Sequence, residues 1–170
     1  MSAALEHDPV EAQALALVRA ALQHARTGDA AALRAALDRG VPPDVRNEKG
    51  DGLLMLAAYH GHEPAVRLLL ERGADPELRN DRGQTPLAGV AFRGDAALAA
   101  ALVDHGASVD GACADGRTPL MFAAMFDRVE VLGVLLERGA DPARRDAGGS
   151  TALDLARAMG AGAAVARLAA

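Results

Sequence analysis

The chain has 170 residues and a mass of 17.4 kDa, which is the size of a single domain. Hydrophobic residues make up 51% of it but aromatic residues only 2%, so closely approaching, alanine-rich helices must build the core. Residues that favour strands are too scarce for a β-sandwich or a β-barrel. The net charge of −5 disfavours a nucleic-acid-binding module, which needs a basic stripe to neutralise phosphates.

The N-terminal part of the chain predicts a helix and no targeting segment. Asp8 is a suitable N-cap, Pro9 fits the first turn, and Glu11 completes a capping box. Residues 1–18 contain no lysine or arginine, so we expect no secretory signal. No apolar stretch approaches the roughly 20 residues that a membrane-crossing helix needs. Cys113 is the single cysteine and cannot form an internal disulfide, which fits a reducing cytoplasm.

The rest of the chain follows a period of 33 residues. One position of this period is occupied by glycine, at Gly50, Gly83, Gly116 and Gly149. Another is occupied by leucine, at Leu54, Leu87, Leu120 and Leu153. Independent residue series that share one period predict repeated structural units, each of which buries its apolar surface against its neighbours.

One unit can be followed through residues 80–112. A turn sequence leads to Thr85, a good N-cap, and to Pro86, which loses no hydrogen bond in the first turn of a helix. This helix is predicted to end at Gly94 in a left-handed conformation. A second helix is predicted over about residues 96–105. Each unit is therefore a turn, a short helix, a tight turn and a second helix.

Three motifs in these units resemble the ankyrin repeat. They are Gly-Gln-Thr-Pro-Leu at 83–87, Gly-Arg-Thr-Pro-Leu at 116–120, and Leu-Leu-Leu-Glu-Arg-Gly-Ala-Asp at 68–75. The resemblance extends over nearly the whole chain and implies an all-α ankyrin-repeat solenoid with short β-hairpin arms. It implies one domain over 1–170, in which residues 1–13 extend the first helix and five repeats occupy about 14–46, 47–79, 80–112, 113–145 and 146–170.

Several positions depart from the repeat pattern. Gly52 replaces the N-cap threonine, which predicts a weaker helix start. Gly89 occupies a core position, and we expect Val90 beside it to supply the missing bulk. Asp127 replaces the glycine between two helices, where a left-handed conformation costs roughly 1–2 kcal/mol for a residue with a side chain. Residues 160–170 are rich in alanine and glycine, and we expect them to fray.

The residues that could carry chemistry are few. No serine lies in a nucleophile-elbow sequence and no phosphate-binding loop is present, so we expect a non-catalytic protein without cofactor or metal. His60 and His62, with His105 or Cys113, are metal or haem candidates. Their alternative roles are turn hydrogen bonds and helix ends. Cys113 begins the fourth turn, where we expect an exposed, incidental thiol. His24 is expected to be half-buried.

The resemblance implies that contacts with a partner lie on the inner helices and the hairpin tips. Three of the four aromatic residues fall at such inner-helix positions, and only Phe122 falls at a core position. Aromatic residues, methionine and arginine are enriched at interface centres. The alternative is that the aromatic side chains pack between repeats. Candidate partner-binding residues on the helices are Tyr59, His60, Phe92, Arg93, Met125, Phe126 and Met159. Candidate residues on the tips are Lys49, Asp51, Arg82, Gln84, Asp115 and Arg117. Positive potential that suits an acidic partner segment is expected from Arg26, Arg93, Arg128, Arg144 and Arg145.

The sequence therefore predicts a non-catalytic protein–protein interaction module whose groove and hairpin tips bind another protein. We expect a monomeric adaptor or scaffold in a bacterial cytoplasm that binds neither nucleic acid nor membrane. One alternative remains open. Because some small bacterial ankyrin-like proteins are associated with oxidative-stress systems, the chain is also compatible with a factor that handles haem or a metal for an enzyme such as a catalase.

Overall fold

A computed structural model describes residues 8–170, which form helices arranged in pairs. Residues 1–7 lie outside the described residues. They include part of the N-terminal extension predicted at 1–13 and part of the stretch from which we expect no secretory signal. The first helices of the five pairs are α1 (Pro9–Thr27), α3 (Leu53–Tyr59), α5 (Pro86–Arg93), α7 (Pro119–Met125) and α9 (Ala152–Met159). The second helices are α2 (Ala30–Asp38), α4 (Glu63–Glu71), α6 (Ala96–Asp104), α8 (Val129–Glu137) and α10 (Gly162–Ala169). None of these helices has the length and apolar character needed to cross a membrane.

The helices stack in two layers. An inner layer contains the first helix of each pair, and an outer layer contains the second, with each helix contacting the next one in its layer. The inner helices approach closely because small residues lie between them, at the fully buried series Ala25, Ala58, Ala91 and Ala124. The outer layer buries the leucine series Leu69, Leu102 and Leu135 against it. Each buried leucine contributes about 1.5–3 kcal/mol to stability. The fully buried alanine series confirms the alanine-rich stack predicted from the sequence.

Polar side chains begin the inner helices as the sequence predicts. Thr85 accepts a hydrogen bond from the backbone nitrogen of Ala88 (3.2 Å), and Asp8 accepts one from that of Val10 (3.0 Å). Gly52 begins α3 without any side-chain hydrogen bond, so this helix start has no cap. The burial of the apolar residues of α3 holds that helix in place instead.

Asp127 occupies the left-handed conformation expected at its position, with φ of 56°. Its Oδ1 accepts a hydrogen bond from the backbone nitrogen of Ala164 at 2.7 Å. Ala161, the N-cap of α10, supplies no side-chain hydrogen bond, so Asp127 caps this helix from the preceding repeat. Residues 160–170, where we expected fraying, thus form a capped helix over Gly162–Ala169.

The hairpin arms between repeats are short turns. Within residues 8–170 the β-pairing is limited to an isolated antiparallel bridge between Arg46 and Gly52. The backbone nitrogen of Asn80 donates to the carbonyl oxygen of Gln84 (3.1 Å), which closes the turn. The Asn80 side-chain oxygen accepts from the backbone nitrogens of Arg82 (3.1 Å) and Gln84 (3.0 Å). Backbone and side-chain hydrogen bonds together therefore fix the shape of the tip.

Candidate functional site

A hollow of about 610 Å³ lies on the open side of the inner layer, between the inner helices and the turns. We call it the groove hollow. Residues from four successive repeats line it, which are Arg26, Lys49, Asp51, Met55, Leu56, Tyr59, His60, Asn80, Arg82, Gln84, Ala88, Gly89, Phe92 and Phe122. Its helical side is largely apolar, and its rim on the turns is polar.

Gly89 leaves the space that the groove hollow occupies. The equivalent positions of the neighbouring repeats carry Leu56 and Phe122, whereas Gly89 has no side chain. A β-carbon placed on Gly89 would lie 3.5 Å from Cδ2 of Tyr59 and 3.8 Å from Sδ of Met55, which are ordinary contact distances. Val90 is buried in the core as expected. It does not fill the groove hollow, because that space lies on the Gly89 side of the helix.

All four aromatic side chains of the chain lie at this surface. Tyr59 is 44% exposed and Phe92 is 36% exposed, and both line the groove hollow. Phe126 is half-buried and packs edge-to-face on Phe92, with ring centroids 4.6 Å apart. Phe122, which we expected in the core, is half-buried and lines the groove hollow as well. Phe122 also packs against the core, as its position in the repeat predicts.

The rim of the groove hollow is held by hydrogen bonds between consecutive turns. Asn80 Nδ2 donates to Asp51 Oδ1 (2.9 Å) in the preceding turn and to Gln84 Oε1 (3.1 Å) in its own turn. The backbone nitrogen of Asp81 donates to the carbonyl oxygen of Lys49 (3.2 Å). The side chains of these turns are therefore presented from a fixed backbone.

The groove hollow is lined by more positive than negative side chains. Arg26, Lys49 and Arg82 line it and are exposed, and none of the ion pairs found among residues 8–170 involves them. Asp51 is the single carboxylate in the lining and is half-buried against the asparagine amides. Partial burial lowers the pKa of His60, and nearby positive charge lowers it further, so the neutral ring is favoured.

The remaining candidate residues lie apart from the groove hollow. Arg117 pairs with Asp115 in its own turn (3.3 Å) and with Asp146 in the next (3.7 Å). Arg93 is exposed at the end of α5, and Met125 is half-buried at the end of α7. Met159 is 53% exposed in the last inner helix. The structure thus brings together Tyr59, His60, Phe92, Lys49, Asp51, Arg82 and Gln84 out of the sequence candidates.

The histidines make the turn and helix-end contacts that were their alternative roles. Nε2 of His62 lies 2.9 Å from the carbonyl oxygen of Arg26 in the preceding repeat, and Nδ1 of His105 lies 2.7 Å from that of Ala101. The rings of His60 and His62 are stacked with centroids 6.2 Å apart. Between residues 8 and 170, no group of three or more His, Cys, Asp and Glu side chains is arranged to hold a metal ion.

Cys113 is buried, so the sequence expectation of an exposed thiol is wrong. Its position in the turn is the one that Asn47, Asn80 and Asp146 occupy in the other repeats, where the side chain points into the turn. Cysteine is only 7% exposed there. Burial raises the pKa of the Cys113 thiol above its usual value, which disfavours the reactive thiolate.

Comparisons with known proteins agree with this architecture. The family model described as ankyrin repeats matches residues 7–80 and 54–146. A protein of Pseudomonas aeruginosa described as an ankyrin repeat protein is 58% identical over 38 residues, which are 22% of this chain and 22% of that protein. The chain thus matches about a fifth of that curated relative's length. With its paired helices, glycine turns and family match over most of its length, the chain belongs to the ankyrin-repeat family.

Proposed function

We propose that the chain is a non-catalytic protein-binding module and that its partner docks on the groove around Tyr59 and Phe92. Ankyrin repeats are generally protein–protein interaction modules, which supports the general class. The observation that carries the specific site is the placement of the aromatic residues. The chain has one tyrosine, three phenylalanines and no tryptophan, and all four aromatic side chains lie at one surface.

This placement leaves part of the aromatic surface outside the core. An aromatic side chain buries a large apolar area, so a chain with few of them stabilises its fold most by burying them fully. Here Tyr59 and Phe92 remain exposed beside a hollow, with a polar rim around them. An apolar centre within a polar rim is the usual anatomy of a protein interface. We further propose that the domain covers the whole chain and acts as a monomer in a bacterial cytoplasm, which its single cysteine suits.

A comparative capture experiment tests the proposed function. The wild-type chain, a Tyr59→Ala/Phe92→Ala variant and a Val10→Ala/Leu15→Ala variant are used as bait in a lysate of the source organism. Val10 and Leu15 are also exposed apolar residues, 71% and 46%, but they lie on α1 outside the groove hollow. Circular dichroism establishes that all three proteins are folded.

The expected result is a protein captured by the wild type and by the α1 variant but lost with the groove variant. Truncating anchor residues at an interface centre costs 2 kcal/mol or more, about thirtyfold in affinity. If the groove variant captures the same proteins as the wild type, the groove is not the binding surface and the proposal fails.

A further inference from the structure

Building on the proposed function, we infer that the groove hollow binds an acidic protein segment that inserts one large apolar side chain above Gly89. The partner is thereby assigned an anchor side chain, a pocket that holds it and a negative charge. Three observations support this assignment: the missing side chain at Gly89, the apolar residues around that gap, and the lining cations that form no ion pair among the described residues.

The gap above Gly89 is shaped for an apolar side chain. Leu56, Ala88 and Phe122 line it together with the rings of Tyr59 and Phe92. The whole groove hollow has a volume of about 610 Å³, which lies within the range of small-ligand sites, so it accommodates a side chain and the backbone that carries it. A partner side chain that enters the gap takes the place that Leu56 and Phe122 occupy at the equivalent positions of the neighbouring repeats.

The charged residues that line the groove hollow specify the charge of the segment. Arg26, Lys49 and Arg82 contribute three positive charges against one negative charge from Asp51. This local excess contrasts with the net charge of −5 of the whole chain. Carboxylates that flank the anchor side chain would face these cations, which have no ion-pair partners among the described residues.

A protein segment fits these observations better than a nucleic acid. Nucleic-acid binding draws its affinity from many phosphate contacts along a basic stripe. Here three cations surround a single apolar gap, and most of the other charged residues of the chain are acidic. Three cations suffice for a few carboxylates beside an apolar anchor but not for an extended phosphate backbone.

Labelled peptides of equal length test the inference by fluorescence anisotropy. Their central residue is either leucine or alanine, and their flanking residues are either all glutamate or all lysine. We expect the acidic peptide with central leucine to bind most tightly. Replacing its leucine by alanine should weaken binding by about tenfold to hundredfold, because the buried side chain is lost. Added salt should weaken binding of the acidic peptide further.

Two variants separate the apolar gap from the charge. Gly89→Leu places in the gap the residue found at the equivalent position 56, and it should weaken peptide binding at least about tenfold. Its fold should be as stable as the wild type or more so, since leucine favours a helix over glycine. Lys49→Glu/Arg82→Glu should abolish the preference for acidic peptides. Arg34→Glu/Arg39→Glu changes the net charge equally on exposed residues of α2 and its end, and it should leave that preference intact.

The outcomes distinguish this inference from the proposed function. Failure of every acidic peptide to bind, equal binding by lysine-flanked peptides, or unchanged binding by Gly89→Leu overturns the inference. Tighter binding of a labelled single-stranded oligonucleotide than of any peptide also overturns it. If Gly89→Leu still captures the lysate proteins that Tyr59→Ala/Phe92→Ala loses, the groove binds a protein but the Gly89 gap is not its anchor site.

Discussion

Asp127 links the fourth and fifth repeats through a single side chain, and its substitution should weaken the end of the stack. It takes the left-handed conformation that glycine takes at Gly94, one repeat earlier, and its Oδ1 accepts a 2.7 Å hydrogen bond from the backbone nitrogen of Ala164. The carboxylate therefore caps α10 while its own backbone is held in a conformation that few residues accept.

Three substitutions separate these two roles. Asp127→Ala removes the cap, which typically costs about 1 kcal/mol of stability. It also places alanine in the left-handed conformation, which costs roughly 1–2 kcal/mol, although aspartate already incurs part of that cost. We therefore expect a loss of about 2 kcal/mol in the free energy of unfolding. Asp127→Gly removes the cap but also the backbone cost, so its net change should be within about 1 kcal/mol of zero. Asp127→Asn keeps an acceptor oxygen and tolerates the conformation, so only the favourable charge at the helix N-terminus, about 0.3–1 kcal/mol, is lost.

Urea denaturation followed by circular dichroism gives the free energy of unfolding of each variant. Hydrogen exchange of the peptides covering residues 160–170 reports on α10 itself, because the terminal unit of a repeat stack opens locally. Exchange there should be faster in Asp127→Gly and Asp127→Ala than in the wild type or Asp127→Asn. Unchanged exchange in Asp127→Gly, or an alanine variant as stable as the asparagine variant, would refute the capping role.

Two further predictions concern Cys113 and acidic pH. Cys113 is buried and the pKa of its thiol is raised. Its reaction with a thiol reagent should therefore be at least roughly tenfold slower in the native protein than in denaturant. Equal rates would show that the turn exposes the thiol. The pKa of Asp104 is lowered by its hydrogen bond to Arg138, and that of Asp154 by the Thr151 amide and hydroxyl. For carboxylates with lowered pKa values, the stabilisation is present above about pH 4 and is lost as the pH falls through the folded-state values. Asp104→Asn/Asp154→Asn should therefore lose less stability than the wild type between pH 5 and pH 2, and parallel pH curves for the two proteins would contradict this assignment.

The fold could be predicted from the sequence because its determinants are local and recur every 33 residues. Thr85 and Gly94 mark the two ends of one inner helix, and the structure places the helix between them at Pro86–Arg93. The second helix of that repeat was predicted over about 96–105 and lies at Ala96–Asp104. Capping and left-handed glycine geometry depend on neighbouring residues along the chain, which is the information that a sequence contains.

The groove was harder to predict because it depends on residues that are distant in sequence. Gly89 was noted as a departure from the repeat, but its effect depends on whether Tyr59 and Phe122 of the adjoining repeats close the gap. They do not, and a hollow remains. The burial of Cys113 could be predicted from its repeat equivalents Asn47 and Asn80. Asparagine in a turn commonly bonds the backbone of that turn, which indicates a side chain that faces inward.

The departures from the repeat pattern differ in whether the structure compensates for them. Asp127 is compensated, because its strained backbone comes with a cap for α10. Gly89 is not compensated. A glycine inside a helix is destabilising by roughly 0.5–1 kcal/mol relative to alanine, and a β-carbon added at Gly89 would lie at ordinary contact distance from Tyr59. A more stable chain was therefore available without any clash. Conflicts between sequence and stability that lack local compensation are expected at functional sites. This one lies beside the exposed rings of Tyr59 and Phe92, as the proposed binding role of the groove hollow requires.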